Sequence, residues 1–156
     1  MLDKAIQQAL RPLMTQAARG LVRLGIGADA ITFTGFALGM AAAAAIAFQH
    51  FLPGLALLML SRLMDGLDGA VARATRPTDR GGFLDITLDF LFYAAIPLAF
   101  ALHDPATNAL PAAVLLASFI GTGSSFLAFA AVAEKRHLHS VALPDKSFYF
   151  LGGLTE

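Results

Sequence analysis

AITFTGFALGMAAAAAIAFQ, residues 30–49, contains no ionisable side chain. Charge is absent from the whole stretch between Asp29 and Arg62, apart from the weakly basic His50. About 20 apolar residues suffice for a helix to cross a bilayer, so this segment reads as a first membrane span. Working outward, a tight turn is expected at His50, Phe51, Leu52 and Pro53. A second span then runs from Pro53 to about Ala74, and a polar loop from Arg76 to Gly82. A third span runs from about Phe83 to Leu102, with a kink expected at Pro97. An outer loop at residues 103–108 leads to a fourth span from about Ala109 to Ala133. A polar segment, Glu134 to Lys146, follows, and a fifth apolar stretch opens at Ser147.

Composition agrees with this reading. Of the 156 residues 57% are hydrophobic and 14% are charged, against roughly 25% charged in soluble domains. Mean hydropathy is +0.68. The formal net charge of zero gives no sign of a nucleic-acid partner, and the absence of cysteine excludes disulfides, thiolate ligands and cysteine nucleophiles.

The first 24 residues do not form a cleavable leader, because Asp3, Lys4, Arg11, Arg19 and Arg23 interrupt any apolar run. Leu2, Ile6, Leu10, Leu13, Met14, Ala17, Leu21 and Leu24 recur at helical spacing. They predict an amphipathic helix in the inner interface, with its arginines near anionic head groups. The alternative is a helix packed on its own protein. The expected fold is thus an all-α polytopic membrane helix bundle, with an interfacial helix at 1–24 and a transmembrane bundle at 25–156.

Orientation follows from the basic residues. Of the 11 Lys and Arg, all but Arg62 fall on one side of alternating spans. By the positive-inside rule that side is cytosolic.

Asp65, Asp68, Asp85 and Asp89 lie inside or at the edge of apolar spans. Each charge at a span centre costs on the order of 2.5–3.5 kcal/mol, and four together also repel one another. Pairing with Arg62, Arg73, Arg76 and Arg80 could offset some of this, but it leaves the spacing unexplained. Asp65 and Asp68 are three apart and Asp85 and Asp89 four apart, so each pair shares a helix face. At about 100° per residue, Asp65, Asp68, Gly69, Ala72 and Arg73 fall within an arc of roughly 140°. Two acids, two very small residues and an arginine suit a phosphate ligand packed against the helix backbone. At about 1.5 Å per residue, Asp65 and Asp68 fall roughly 18–23 Å along the second span from Pro53. That is the level at which the third span begins, so the two pairs can meet. Converging carboxylates favour hard cations: Mg²⁺ or Mn²⁺, with Ca²⁺ as an inhibitor.

The run Asp65-Gly66-Leu67-Asp68-Gly69-Ala70-Val71-Ala72-Arg73, followed by Gly81-Gly82-Phe83-Leu84-Asp85-Ile86-Thr87-Leu88-Asp89, resembles the signature of the CDP-alcohol phosphotransferases. The resemblance implies a membrane enzyme of phospholipid biosynthesis that moves a substituted phosphate from a CDP-alcohol, such as CDP-diacylglycerol, to an acceptor alcohol and releases CMP. It implies two divalent ions on Asp65, Asp68, Asp85 and Asp89, with Asp89 as general base. Gly69, Ala72, Arg73 and Thr32 would bind the donor. Arg76, Arg80, Lys135 and Arg136 are candidate phosphate contacts, beside their ordinary reading as inside-positive charges. It also implies a homodimer in the bacterial inner membrane with its active site facing the cytosol.

Three features depart from the family pattern. The spacer 74–80 has seven residues, one fewer than usual. Ala28-Asp29 stands where many members have Pro-Asn. The family usually has six spans, whereas this chain ends within the fifth, as a fragment would. Gly35 and Gly39, and the run Gly121-Thr122-Gly123-Ser124-Ser125, predict close helix packing, the latter at a dimer interface. His103, His137 and His139 read as interfacial side chains. The competing function classes are a divalent-cation transporter and an inactive membrane scaffold.

Overall fold

The computed structural model describes residues 2–136, and among them every regular element is a helix. These are α1 (Leu2–Arg23), α2 (Ala28–Ala47), α3 (Phe51–Ala74), α4 (Asp79–His103) and α5 (Pro105–Lys135). The stretch from Ser147, together with His137, His139 and Lys146, lies outside the described residues.

Each connection is tighter than the sequence suggested. The first turn is Phe48–His50, not His50–Pro53, with Gln49 in the left-handed region at φ 68°. Pro53 falls in the first turn of α3, where an N–H has no intrahelical partner to lose. The expected loop at 76–82 shrinks because the Thr78 side chain caps α4, accepting a hydrogen bond from the Gly81 N–H at 3.0 Å. Arg80, Gly81 and Gly82 are therefore helical. The outer loop at 103–108 reduces to Asp104. Pro105 opens α5, a position where its missing N–H costs nothing. The Thr107 N–H donates to Asp104 Oδ1 at 3.3 Å. Hydrogen bonds from Thr107 hold the Asp104 carboxyl below the usual carboxylate range.

Helices α2, α4 and α5 are long and apolar enough to cross a membrane. The 24 residues of α3 extend about 36 Å at about 1.5 Å per residue, but Arg62, Asp65, Asp68 and Arg73 make it more polar. The chain is an integral membrane protein built as a helix bundle. Helix α2 packs on both α3 and α4, α5 lies on the outer side of α4, and α1 rests against α3.

Small residues hold the centre together. A Cβ at Gly35 would lie 2.9 Å from Met64 Cβ, and one at Gly39 would lie 2.5 Å from the Phe92 ring. The two glycines thus admit α3 and α4 to the same face of α2, where the sequence predicted close helix packing without naming its partners. Fully buried Ser61 fastens this junction by donating to the Gly35 carbonyl at 2.8 Å. In span four, Gly123 packs tightly on the Phe90 ring, whereas a Cβ at Gly121 would meet nothing within 4 Å. Gly123 therefore packs within the chain.

Helix α1 packs on its own protein along part of its length. Ala18 is fully buried with Ile31, Leu67, Ala70 and Val71, and Met14, Leu21 and Val22 border that cluster. Met14 and Leu21 of the predicted apolar stripe take part in this contact, while Leu13, Ala17 and Leu24 of the same stripe are exposed. Contact with α3 selects the small Ala18, which the hydrophobic periodicity did not single out.

Candidate metal centre and active site

The carboxylates gather at one end of the bundle, where the N-terminus of α2, the second half of α3 and the N-terminal half of α4 meet. Asp65, Asp68 and Asp85 each offer an oxygen, and these oxygens lie within 4.8 Å of one another. Asp68 is only 5% exposed, and its buried Oδ2 has no hydrogen-bond partner. A buried carboxylate oxygen without a donor is costly unless a cation meets it. Three convergent hard-oxygen donors, one of them lacking a partner, fit Mg²⁺ or Mn²⁺.

Asp89 borders the same pocket but is held by other partners. Its Oδ1 accepts a hydrogen bond from Arg62 Nη1 at 3.1 Å, and its Oδ2 accepts one from the Tyr93 hydroxyl at 3.4 Å. The same Arg62 nitrogen is 3.7 Å from Asp65 Oδ2. The Arg62 guanidinium lies over the Phe92 ring at 3.9 Å from its centroid and reaches Ser61 Oγ at 3.4 Å. Sequence reasoning named Arg62 only as one partner that could offset charge. A cation inside an apolar span, three residues before an acid, was the signal that it belonged to the site.

An open cleft of about 800 Å³ adjoins the carboxylates, and Thr32, Gly69, Ala72, Arg73 and Arg76 line it. The Thr32 hydroxyl donates to the Ala28 carbonyl at 3.0 Å. Arg73 folds back over Gly69, so a Cβ there would lie 3.2 Å from Arg73 Nη1. Arg80 turns elsewhere, its Nε 3.5 Å from Asp29 Oδ2 in an exposed ion pair. Lys135 and Arg136 are exposed at the end of α5 and do not line the cleft. Of the eight donor and phosphate contacts expected from sequence, five border the cleft and three do not.

Comparison with known proteins agrees with this arrangement. The chain is 51% identical over its 156 residues to Inner membrane protein YnjF of Escherichia coli, and it covers 76% of that protein. It is 53% identical over 70 residues to the archaetidylinositol phosphate synthase of Methanothermobacter thermautotrophicus, covering 44% of this chain and 36% of that one. A crystal structure of Mycobacterium tuberculosis phosphatidylinositol phosphate synthase with manganese and citrate matches with a TM-score of 0.64 and 26% identity. That match covers 81% of this chain and 62% of the other. Residues 26–150 match the CDP-alcohol phosphatidyltransferase family across both aspartate pairs, so the chain belongs to that family of transferases.

Proposed function

We propose that the protein transfers a phosphatidyl or related substituted phosphate group from CDP-diacylglycerol, or another CDP-alcohol, to an acceptor alcohol and releases CMP. One observation carries this reading: three carboxylate oxygens from two helices converge within 4.8 Å beside a cleft lined by small residues and an arginine. Asp65, Asp68 and Asp85 would hold Mg²⁺ or Mn²⁺, which supplies charge neutralisation on the diphosphate. Gly69 and Ala72 leave space for the nucleotide at the helix surface, and Arg73 contacts donor phosphate. Thr32 lines the nucleotide end of the cleft. Asp89 takes the proton of the acceptor hydroxyl as that oxygen bonds to phosphorus and the bond from phosphorus to the CMP oxygen breaks. The two ions that the resemblance implies would require Asp89 to join the other three carboxylates.

The names of two relatives make a phosphorylated polyol of the inositol phosphate class the first acceptor to try. Arg76, which lines the cleft, is the contact proposed for its phosphate. Arg80, Lys135 and Arg136 act as inside-positive charges instead. The site faces the cytosol of an inner membrane, a reading supported by the basic residues at this end and by the YnjF relative. The homodimer that the family resemblance implies is the assembly we propose.

The test supplies membranes containing the protein with labelled CDP-diacylglycerol, Mg²⁺ and a panel of alcohols and alcohol phosphates. Magnesium-dependent CMP release that disappears in Asp68→Asn is expected. Divalent-cation flux without CMP release would make the protein a transporter, and neither activity would make it a scaffold.

A further inference from the structure

The geometry points to Arg62 as a built-in counter-ion that competes with a second divalent cation for Asp89; this rests on the metal-centre reading above. One nitrogen, Nη1, sits 3.1 Å from an Asp89 oxygen on α4 and 3.7 Å from an Asp65 oxygen on α3. Any second ion shared between the metal group and Asp89 must contend with that charge. Asp89 borders the same pocket as the three convergent carboxylates, yet its Oδ1 is taken by Arg62.

Arg62 is also firmly seated. Its guanidinium rests on the Phe92 ring and bonds Ser61 Oγ, and Ser61 is itself anchored to the Gly35 carbonyl. A planar cation fixed on an aromatic face gives up its partner less readily than a flexible ammonium does. The first ion therefore loads on Asp65, Asp68 and Asp85 with Arg62 in place. The second loads only when Asp89 leaves Arg62, so Arg62 acts as a positioning residue for Asp89.

The test is Mn²⁺ binding to the purified full chain, without nucleotide, followed by electron paramagnetic resonance and calorimetry. One tight Mn²⁺ is expected in the unaltered protein, with any second ion at least about tenfold weaker. In Arg62→Met, affinity for the second Mn²⁺ rises at least about tenfold as an adjacent positive charge is removed. Arg62→Lys retains the single-ion pattern. Two equally tight ions in the unaltered protein overturn the proposal and leave the metal centre standing, and that measurement needs no variant to fold. A second-ion affinity unchanged in Arg62→Met also overturns it. No Mn²⁺ bound by either the unaltered protein or Arg62→Met removes the metal centre itself, and this role of Arg62 with it.

Discussion

The two halves of α3 touch the same neighbour, α2, yet sort their side chains by opposite rules. From Phe51 to Leu60 only Gly54 is buried, while Leu52 is 80% and Met59 60% exposed. From Ser61 to Ala74 the buried residues are Ser61, Leu67, Asp68, Ala70 and Val71. In a bilayer an apolar side chain loses nothing by facing outward, because hydrocarbon is as apolar as leucine. Inward positions go to small residues such as Gly54, to the polar Ser61 and Asp68, and, where α1 covers α3, to Leu67 and Val71. In the first half of this helix the large apolar side chains form the outer surface, whereas the second half buries both an apolar contact with α1 and the polar site.

If the polar half of α3 exists to hold a cation, its buried acid is the most sensitive point. Asp68→Asn should lower CMP release by at least about a hundredfold, since a bound metal supplies several kcal/mol of charge stabilisation. Chelation of the unaltered protein should give the same loss, reversed by Mg²⁺ or Mn²⁺ but not by Ca²⁺. More than half of normal activity in Asp68→Asn would mean that its burial is merely structural. Asp89→Asn should separate the two roles within the cluster. Donor affinity measured by calorimetry should stay within about threefold, while turnover falls about 10²–10⁴-fold for loss of a general base. Parallel loss of affinity would mean that Asp89 takes part in donor binding as well as in turnover.

Much of this was legible in the sequence, because both signals are local. Charge-free stretches give spans, and acids at spacings of three and four give shared faces. The Arg62–Asp89 contact was not legible, since its partners are 27 residues apart. Their meeting depends on how far Gly35 and Gly39 let α3 and α4 approach α2. Ala18, the centre of the α1 contact with α3, was not singled out for a related reason. Periodicity locates the largest apolar side chains, whereas the contact with α3 is made at an alanine. Loop ends were drawn too wide because caps such as Thr78, and prolines tolerated in first turns, extend helices into segments that look polar.

The glycine junction allows a test on the packing side of the comparison. Gly39→Val should destabilise the protein by about 1–3 kcal/mol through overpacking against Phe92, read as an earlier thermal transition in detergent. Activity should fall as well, because the displaced ring is the one carrying Arg62. Gly121→Ala, whose new methyl meets nothing within 4 Å, should be neutral on both measures. Equal effects at the two positions would show that tight packing at Gly39 does not set the site.

The smallest effect is expected where the polar end meets water. Arg80 and Asp29 form an ion pair with side chains 75% and 39% exposed, and such pairs contribute about 1 kcal/mol or less. Arg80→Ala should therefore leave the thermal transition nearly unchanged. Its effect on KM separates the two readings of this arginine. If Arg80 only balances Asp29, donor and acceptor KM both stay within about twofold, because an exposed pair is largely screened at physiological salt. If it leaves Asp29 to meet a substrate phosphate, KM rises for the substrate bearing that phosphate, and Asp29→Asn lowers the same KM by freeing the guanidinium. Opposite shifts in the two variants would move Arg80 from the charged rim into the binding site. Unchanged values would confine recognition to Arg73 and Arg76, the arginines that border the cleft.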